Sequence, residues 1–125
     1  MRRIAAAILL VCLLVAAVDA VQIVEFCPDP YLAGDLDEYL VIEGRGVLDG
    51  YVFSDGEGGF RFPPGTRIDG RVVVARSGPA FEQTHGYLPD FEIEGRTPAV
   101  PDVIQSGNLQ MANQGDELFI YHGTT

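Results

Sequence analysis

The stretch VLDGYVFSD, Val47 to Asp55, decides the fold class. Asp49-Gly50 is a turn dipeptide, because Gly50 takes a positive φ at no steric cost. Tyr51, Val52 and Phe53 then favour an extended backbone, where β-branched and aromatic side chains pack well on a pleated surface. Ser54-Asp55-Gly56 closes the strand with a second turn signal. A short apolar run followed by Gly, Pro or Asp is the unit that recurs along the chain.

Upstream, Glu38 to Glu43 (EYLVIE) reads as a strand broken by Gly44 and Gly46. Gly34 to Asp37 reads as an acidic loop. Val21 to Cys27 (VQIVEFC) reads as another strand, stopped by Pro28-Asp29-Pro30, because proline cannot donate to a ladder. Downstream, Glu57-Gly58-Gly59 turns into Phe60-Arg61-Phe62, whose alternation predicts a strand with one wet face. Pro63-Pro64-Gly65 turns again. Arg71 to Ala75 (RVVVA) is the clearest buried strand, since three consecutive valines carry no helical period. Ser77 to Pro79 breaks it, and Ala80 to His85 reads as one helical turn. Phe91 to Glu94 reads as a short strand or loop. Thr97 to Ser106, with Pro98 and Pro101, is expected to run over the surface. Leu109 to Ala112 and Glu117 to Tyr121 flank Asn113-Gln114-Gly115-Asp116 and read as a hairpin.

Short strands at near-regular spacing predict an all-β antiparallel sandwich over residues 21–125. Its expected inner faces carry Ile23, Leu40, Ile42, Phe53, Val72, Val74, Leu109, Leu118 and Ile120. Tyr39, Tyr51 and Tyr121 are expected half-buried, with a shared contact patch as the alternative.

Residues 1–20 are set apart from this domain. Arg2-Arg3 is a basic start, Ile4 to Val18 is an unbroken apolar run, and Val18-Asp19-Ala20 has small or β-branched residues where a signal peptidase reads. The run is short for a bilayer span of about 20 residues. The expectation is a hydrophobic signal helix cut after Ala20, and a secreted or cell-surface protein without a stable membrane span. Cys12 follows bulky Val11, which argues against a lipoprotein signal.

Of eighteen acidic and eight basic residues, this segment holds Asp19, Arg2 and Arg3. Seventeen acidic residues then face six arginines and no lysine in 21–125. Phosphate backbones repel such a chain, so charge argues against nucleic acid as a partner. Cys12 leaves with the signal, and Cys27 then has no partner in the chain for a disulfide.

No residue pattern marks a reaction. Asp35, Asp37 and Glu38 are the candidate oxygen ligands for Ca²⁺, but they lack the spacing of a calcium loop, which favours a solvated acidic loop. Asp55 and Glu57 read the same way. His85 and His122 stand apart in sequence, without zinc-ligand spacing. No G-x-S-x-G elbow is present. Without lysine there is neither a phosphate-binding G-K-[ST] loop nor a His-x-Lys phosphodiesterase pair. No cofactor is expected.

The order of blocks resembles the lamin-tail domain, found in nuclear lamins and in many exported prokaryotic proteins. The family's I-x-E strand and N/D-P turn correspond to Ile23, Glu25 and Pro28 to Pro30. Its E-Y-V-E-L block corresponds to Glu38-Tyr39-Leu40-Val41-Ile42. Its L-x-G-W-x-L-x-D block corresponds to Leu48, Gly50, Tyr51, Phe53 and Asp55. Its F-P-x-G-T block corresponds to Phe62, Pro63, Gly65 and Thr66. Its L-x-L-x-N-x-G-D-x-L-x-L block corresponds to Leu109, Met111, Asn113, Gly115, Asp116, Leu118 and Ile120. Tyr51 stands where the family has Trp, and Val41 where it commonly has Glu.

The resemblance implies an immunoglobulin-like sandwich. It implies a non-catalytic binding or accessory module with a protein or cell-surface partner. One alternative is the front domain of a longer secreted enzyme, phospholipase D-like or a nuclease. Another is a structural cell-surface component. Family members continue with one more strand past the last block. Its absence after Thr125 predicts an uncovered edge beside Glu117 to Tyr121, open to self-association.

Overall fold

The computed structural model describes residues 20–28, 36–107, 109 and 118–123. Two four-stranded sheets share one core. In chain order the strands are β1 (Gln22–Cys27), β2 (Tyr39–Val47), β3 (Tyr51–Ser54), β4 (Gly58–Arg61), β5 (Arg67–Ala75), β6 (Phe91–Glu92), β7 (Ile104–Gly107) and β8 (Phe119–His122), with helix α1 (Gly78–His85) between β5 and β6. The first sheet runs β1-β2-β5-β6 and the second β7-β4-β3-β8.

Turn chemistry sets the registers. Gly50 has φ of 83°, and Tyr51 N donates to Leu48 O, so the chain reverses between β2 and β3. Asp55 Oδ1 accepts from the N–H groups of Glu57 and Gly58, both at 2.9 Å, and this closes the β3–β4 hairpin. Asp55 is therefore a half-buried turn clamp and not part of a solvated acidic loop, whereas Glu57 is exposed. β2 and β5 pair along their whole length, from Tyr39↔Ala75 to Val47↔Arg67. Both outrun the predicted strands, because Gly44 and Gly70 sit opposite each other and keep the ladder. β1 joins β2 with a register shift between Ile23 and Glu25 that leaves Val24 as a bulge.

The nine predicted inner-face residues all belong to the core or pack against it. Leu40, Ile42, Phe53 and Val74 are fully buried. Stacked Phe53 and Phe60 pack edge-on with Phe62, and Phe62 reaches Phe91 of the opposite sheet at 4.9 Å between centroids.

Four readings of the elements are corrected as well. Two-turn helix α1 replaces the single helical turn: Ser77, read as part of a strand breaker, is its N-cap, and Pro79 occupies the first turn, where its missing N–H costs nothing. Residues 97–106 are not a surface excursion, since Val100 and Val103 are buried and Ile104 opens β7. The antiparallel rule has an exception, because β6 runs parallel to β5 through Val74↔Phe91 and Ala75↔Glu92. Finally, Leu118 lies outside the strand, so β8 begins at Phe119 and pairs with β3, while Glu117 lies outside the described residues. Residues 1–19, Asp35, and the turn with Asn113, Gly115 and Asp116 lie outside the described residues.

Candidate functional site

A cluster of buried polar side chains lies where α1 covers the outer face of the first sheet. Strand alternation puts Phe91 and Ile93 toward the core and Glu92 on the other side, under the helix. The Glu92 side chain is fully buried. Its Oε2 accepts from Gly78 N and its Oε1 from Thr97 N, each at 2.7 Å. One carboxylate thus satisfies an orphan donor of the helix N-terminus, where negative charge is favoured, and fixes the following loop. Its main chain accepts from Val103 N and donates to Pro101 O.

Asp37 and Glu38, candidate Ca²⁺ ligands with a solvated acidic loop as their favoured reading, are buried instead. Asp37 Oδ2 accepts from Thr84 Oγ1 of α1 at 2.8 Å. Glu38 Oε2 lies 2.6 Å from Arg76 Nη2, and Arg76 N donates to Glu38 O. Arg76 continues to Glu94 at 3.8 Å, and Glu94 binds Arg96 at 2.6 Å. Charge alternates along this chain from the interior to the surface, as burial of carboxylates demands. Among the described residues no group of three or more His, Cys, Asp or Glu side chains is placed to hold a metal ion.

Tyr39 lies between this cluster and β1. Its ring meets Phe81 at 5.2 Å and His85 at 4.9 Å, both edge-on, while His85 stacks on Phe81 at 4.1 Å. Burial, then the nearby Glu25 carboxylate, pushes the Tyr39 hydroxyl up to about 12, and a hydrogen bond to Glu25 adds to this. The remaining motif residues serve the fold. Leu48 is buried, Pro63 O accepts from Thr66, and Gly65 N donates to Asp49 Oδ1 at 2.9 Å. Pro28 is half-buried where β1 ends. Two blocks distant in sequence, Leu48 to Gly50 and Pro63 to Thr66, therefore meet.

The surface offers two other features. A groove of about 420 Å³ runs over Gln22, Glu43, Gly44 and Arg45, flanked by the exposed pairs Arg71–Glu43 and Arg45–Asp69. On β8, Phe119 and Tyr121 are 44% and 56% exposed. Tyr39, Tyr51 and Tyr121 do not form one patch: Tyr39 belongs to the first sheet, and Tyr51 is half-buried and stacks on His122. Cys27 is half-buried at the end of β1.

Sequence reasoning missed Glu92, and its only signal was the alternating Phe91-Glu92-Ile93. Comparison of the chain with protein-family models, with curated proteins and with solved structures found no match.

Proposed function

We propose that residues 21–125 form a lamin-tail-like, immunoglobulin-like module of an exported protein that binds a protein or cell-surface partner and does no chemistry itself. The observation that carries this reading is β8. Phe119 and Tyr121 project to solvent from a strand that, among the described residues, has β3 as its one neighbour. Exposed aromatic residues beside a strand edge suit partner contact, by side-chain burial and by strand addition. The interior carboxylates support it too. Asp37, Glu38 and Glu92 are engaged with Thr84, Arg76, Gly78 and Thr97, as expected of groups that hold the fold.

The test is a double substitution, Phe119→Ser with Tyr121→Ser, in the exported protein. The variant is expected to keep a sheet-dominated circular dichroism spectrum and to lose retention on the cell surface. Retention equal to that of the unsubstituted protein refutes the reading.

A further inference from the structure

The bond between Ala20 and Val21 lies where the chain enters the fold: Ala20 is exposed at the edge of the groove over Gly44, and the backbone seats from Val21 onward. Val21 is half-buried and packs against the core. It does so because Gly44 has no side chain. A Cβ on Gly44 would lie 3.0 Å from Val21 Cγ2, 3.1 Å from Val21 Cα and 3.4 Å from the carbonyl oxygen of Ala20. Gly44 lies on the same face of β2 as Leu40 and Ile42, so Val21 fills the space at the rim of the core that a side chain there would take. The next residue, Gln22, is already in the ladder opposite Glu43. Ala20 as a whole is exposed, but its carbonyl oxygen turns toward β2.

Hydrolysis of this bond breaks the link between the Ala20 carbonyl carbon and the Val21 nitrogen. Water supplies a hydroxyl to Ala20 and a proton to the departing amine. A peptidase must bring a nucleophile to that carbon and place donors about 3 Å from that oxygen. It also takes its substrate as an extended strand, with the backbone free on both sides of the cut. In the folded domain β2 occupies the oxygen's side, and β1 has claimed the backbone from Gln22 onward.

We infer that removal of residues 1–20 precedes folding, so that this chain crosses the membrane as an unfolded thread and the cut is made before Val21 seats on Gly44. The inference rests on the signal-peptide reading and sharpens it. Arg2-Arg3 alone is compatible with a twin-arginine route, which carries folded cargo, as well as with a route for unfolded chains. The seat of Val21 selects the second.

The experiment uses full-length precursor in detergent with purified leader peptidase, and scores cleavage after Ala20 by mass. Four substrates are compared: the folded wild type, Gly44→Val, Val21→Ser, and Phe53→Asp as an unfolded reference. Folded wild type is expected to be cut at least tenfold more slowly than Phe53→Asp. Gly44→Val pushes Val21 from its seat, and Val21→Ser weakens the contact while leaving β2 whole. Either one, with its spectrum still folded, is expected to be cut at least threefold faster than wild type. Equal rates for folded wild type and Phe53→Asp overturn the inference. A parallel digestion of Ala20→Arg by trypsin, folded and urea-unfolded, reads the shelter of the same bond without the leader peptidase. If that bond is protected from trypsin but the leader peptidase cuts no substrate after Ala20, the signal reading has failed and takes the inference with it. If trypsin cuts it equally in both states, the shelter itself is refuted.

Discussion

Glu92 holds two backbone N–H groups on one buried carboxylate. Substitution by Ala leaves both donors inside the protein without partners, at about 1–3 kcal/mol each. Glu92→Ala is therefore expected to lower unfolding free energy by about 2–5 kcal/mol in urea titration, and Glu92→Gln by less, because the amide oxygen keeps one acceptor. A loss below about 0.5 kcal/mol would show that the two bonds do not bear on stability. Tyr39 gives a pH prediction. Its hydroxyl titrates near 12 in the folded state and near 10 when unfolded, so the folded state favours the neutral ring. Its contribution to stability is whole below pH 10 and is lost as pH rises from 10 through 12. Absorbance titration of phenolate should show one late-ionising tyrosine that vanishes in Tyr39→Phe, and that variant should lose less stability than wild type between pH 10 and 12. At this scale the inner-face residues were legible, because alternation is a property of single strands. Asp37, Glu38 and Glu92 were not, because a charged residue reads as surface until its partners are known. Arg76, Thr84 and Gly78 are distant in sequence from the acids they satisfy, and Thr97 alone is near its own, Glu92.

Among the elements, β3 matched its prediction because both flanking turns are written in Gly and Asp. α1 was under-read, because its eight residues include one proline, one glycine and little apolar periodicity, and packing rather than propensity stabilises it. Its caps are nonetheless specific. Ser77 Oγ accepts from Ala80 N, and Gly86 ends the helix with φ of 85°. Ser77→Ala is expected to cost about 1 kcal/mol. Phe81→Ala, which removes the ring joining Tyr39, His85 and Tyr87, is expected to cost about 3–5 kcal/mol. Thermal melts that place Ser77→Ala below Phe81→Ala would contradict this ordering. The β3–β4 hairpin has its own sensitive point. A Cβ on Gly59 would lie 2.5 Å from Phe53 O, a main-chain atom that cannot swing away. Gly59→Ala is expected to part the two strands and lower the midpoint of unfolding by several degrees or more, whereas Gly56→Ala, with open space around it, meets only its φ of 95°.

For the whole molecule, charge opposes association and the β8 edge favours it. The formal charge is −10, so copies repel at low salt. Salt shortens that repulsion to about 10 Å at 0.1 M without weakening aromatic or main-chain contacts. Sedimentation of residues 21–125 is expected to show self-association that grows with added salt and disappears in Phe119→Ser with Tyr121→Ser. A monomer at every salt concentration would retire the idea.

The pairing of β3 with β8 also has a temporal meaning. Ser54 is matched to Phe119 and Tyr51 to His122, so the second sheet joins a strand from the middle of the chain to one from near its far end. Loop closure of that length is entropically slow, and long-range pairing of this kind delays folding. When the chain emerges amino end first at about 5–20 residues per second, Phe119 follows Ser54 by roughly 65 residues, or roughly 3–13 s. Throughout that interval β3 stands with one flank bare and Phe53 incompletely roofed. The nascent protein therefore passes through a stage in which its most aromatic region is its least protected, and a holdase that captures extended apolar strands has its opportunity then.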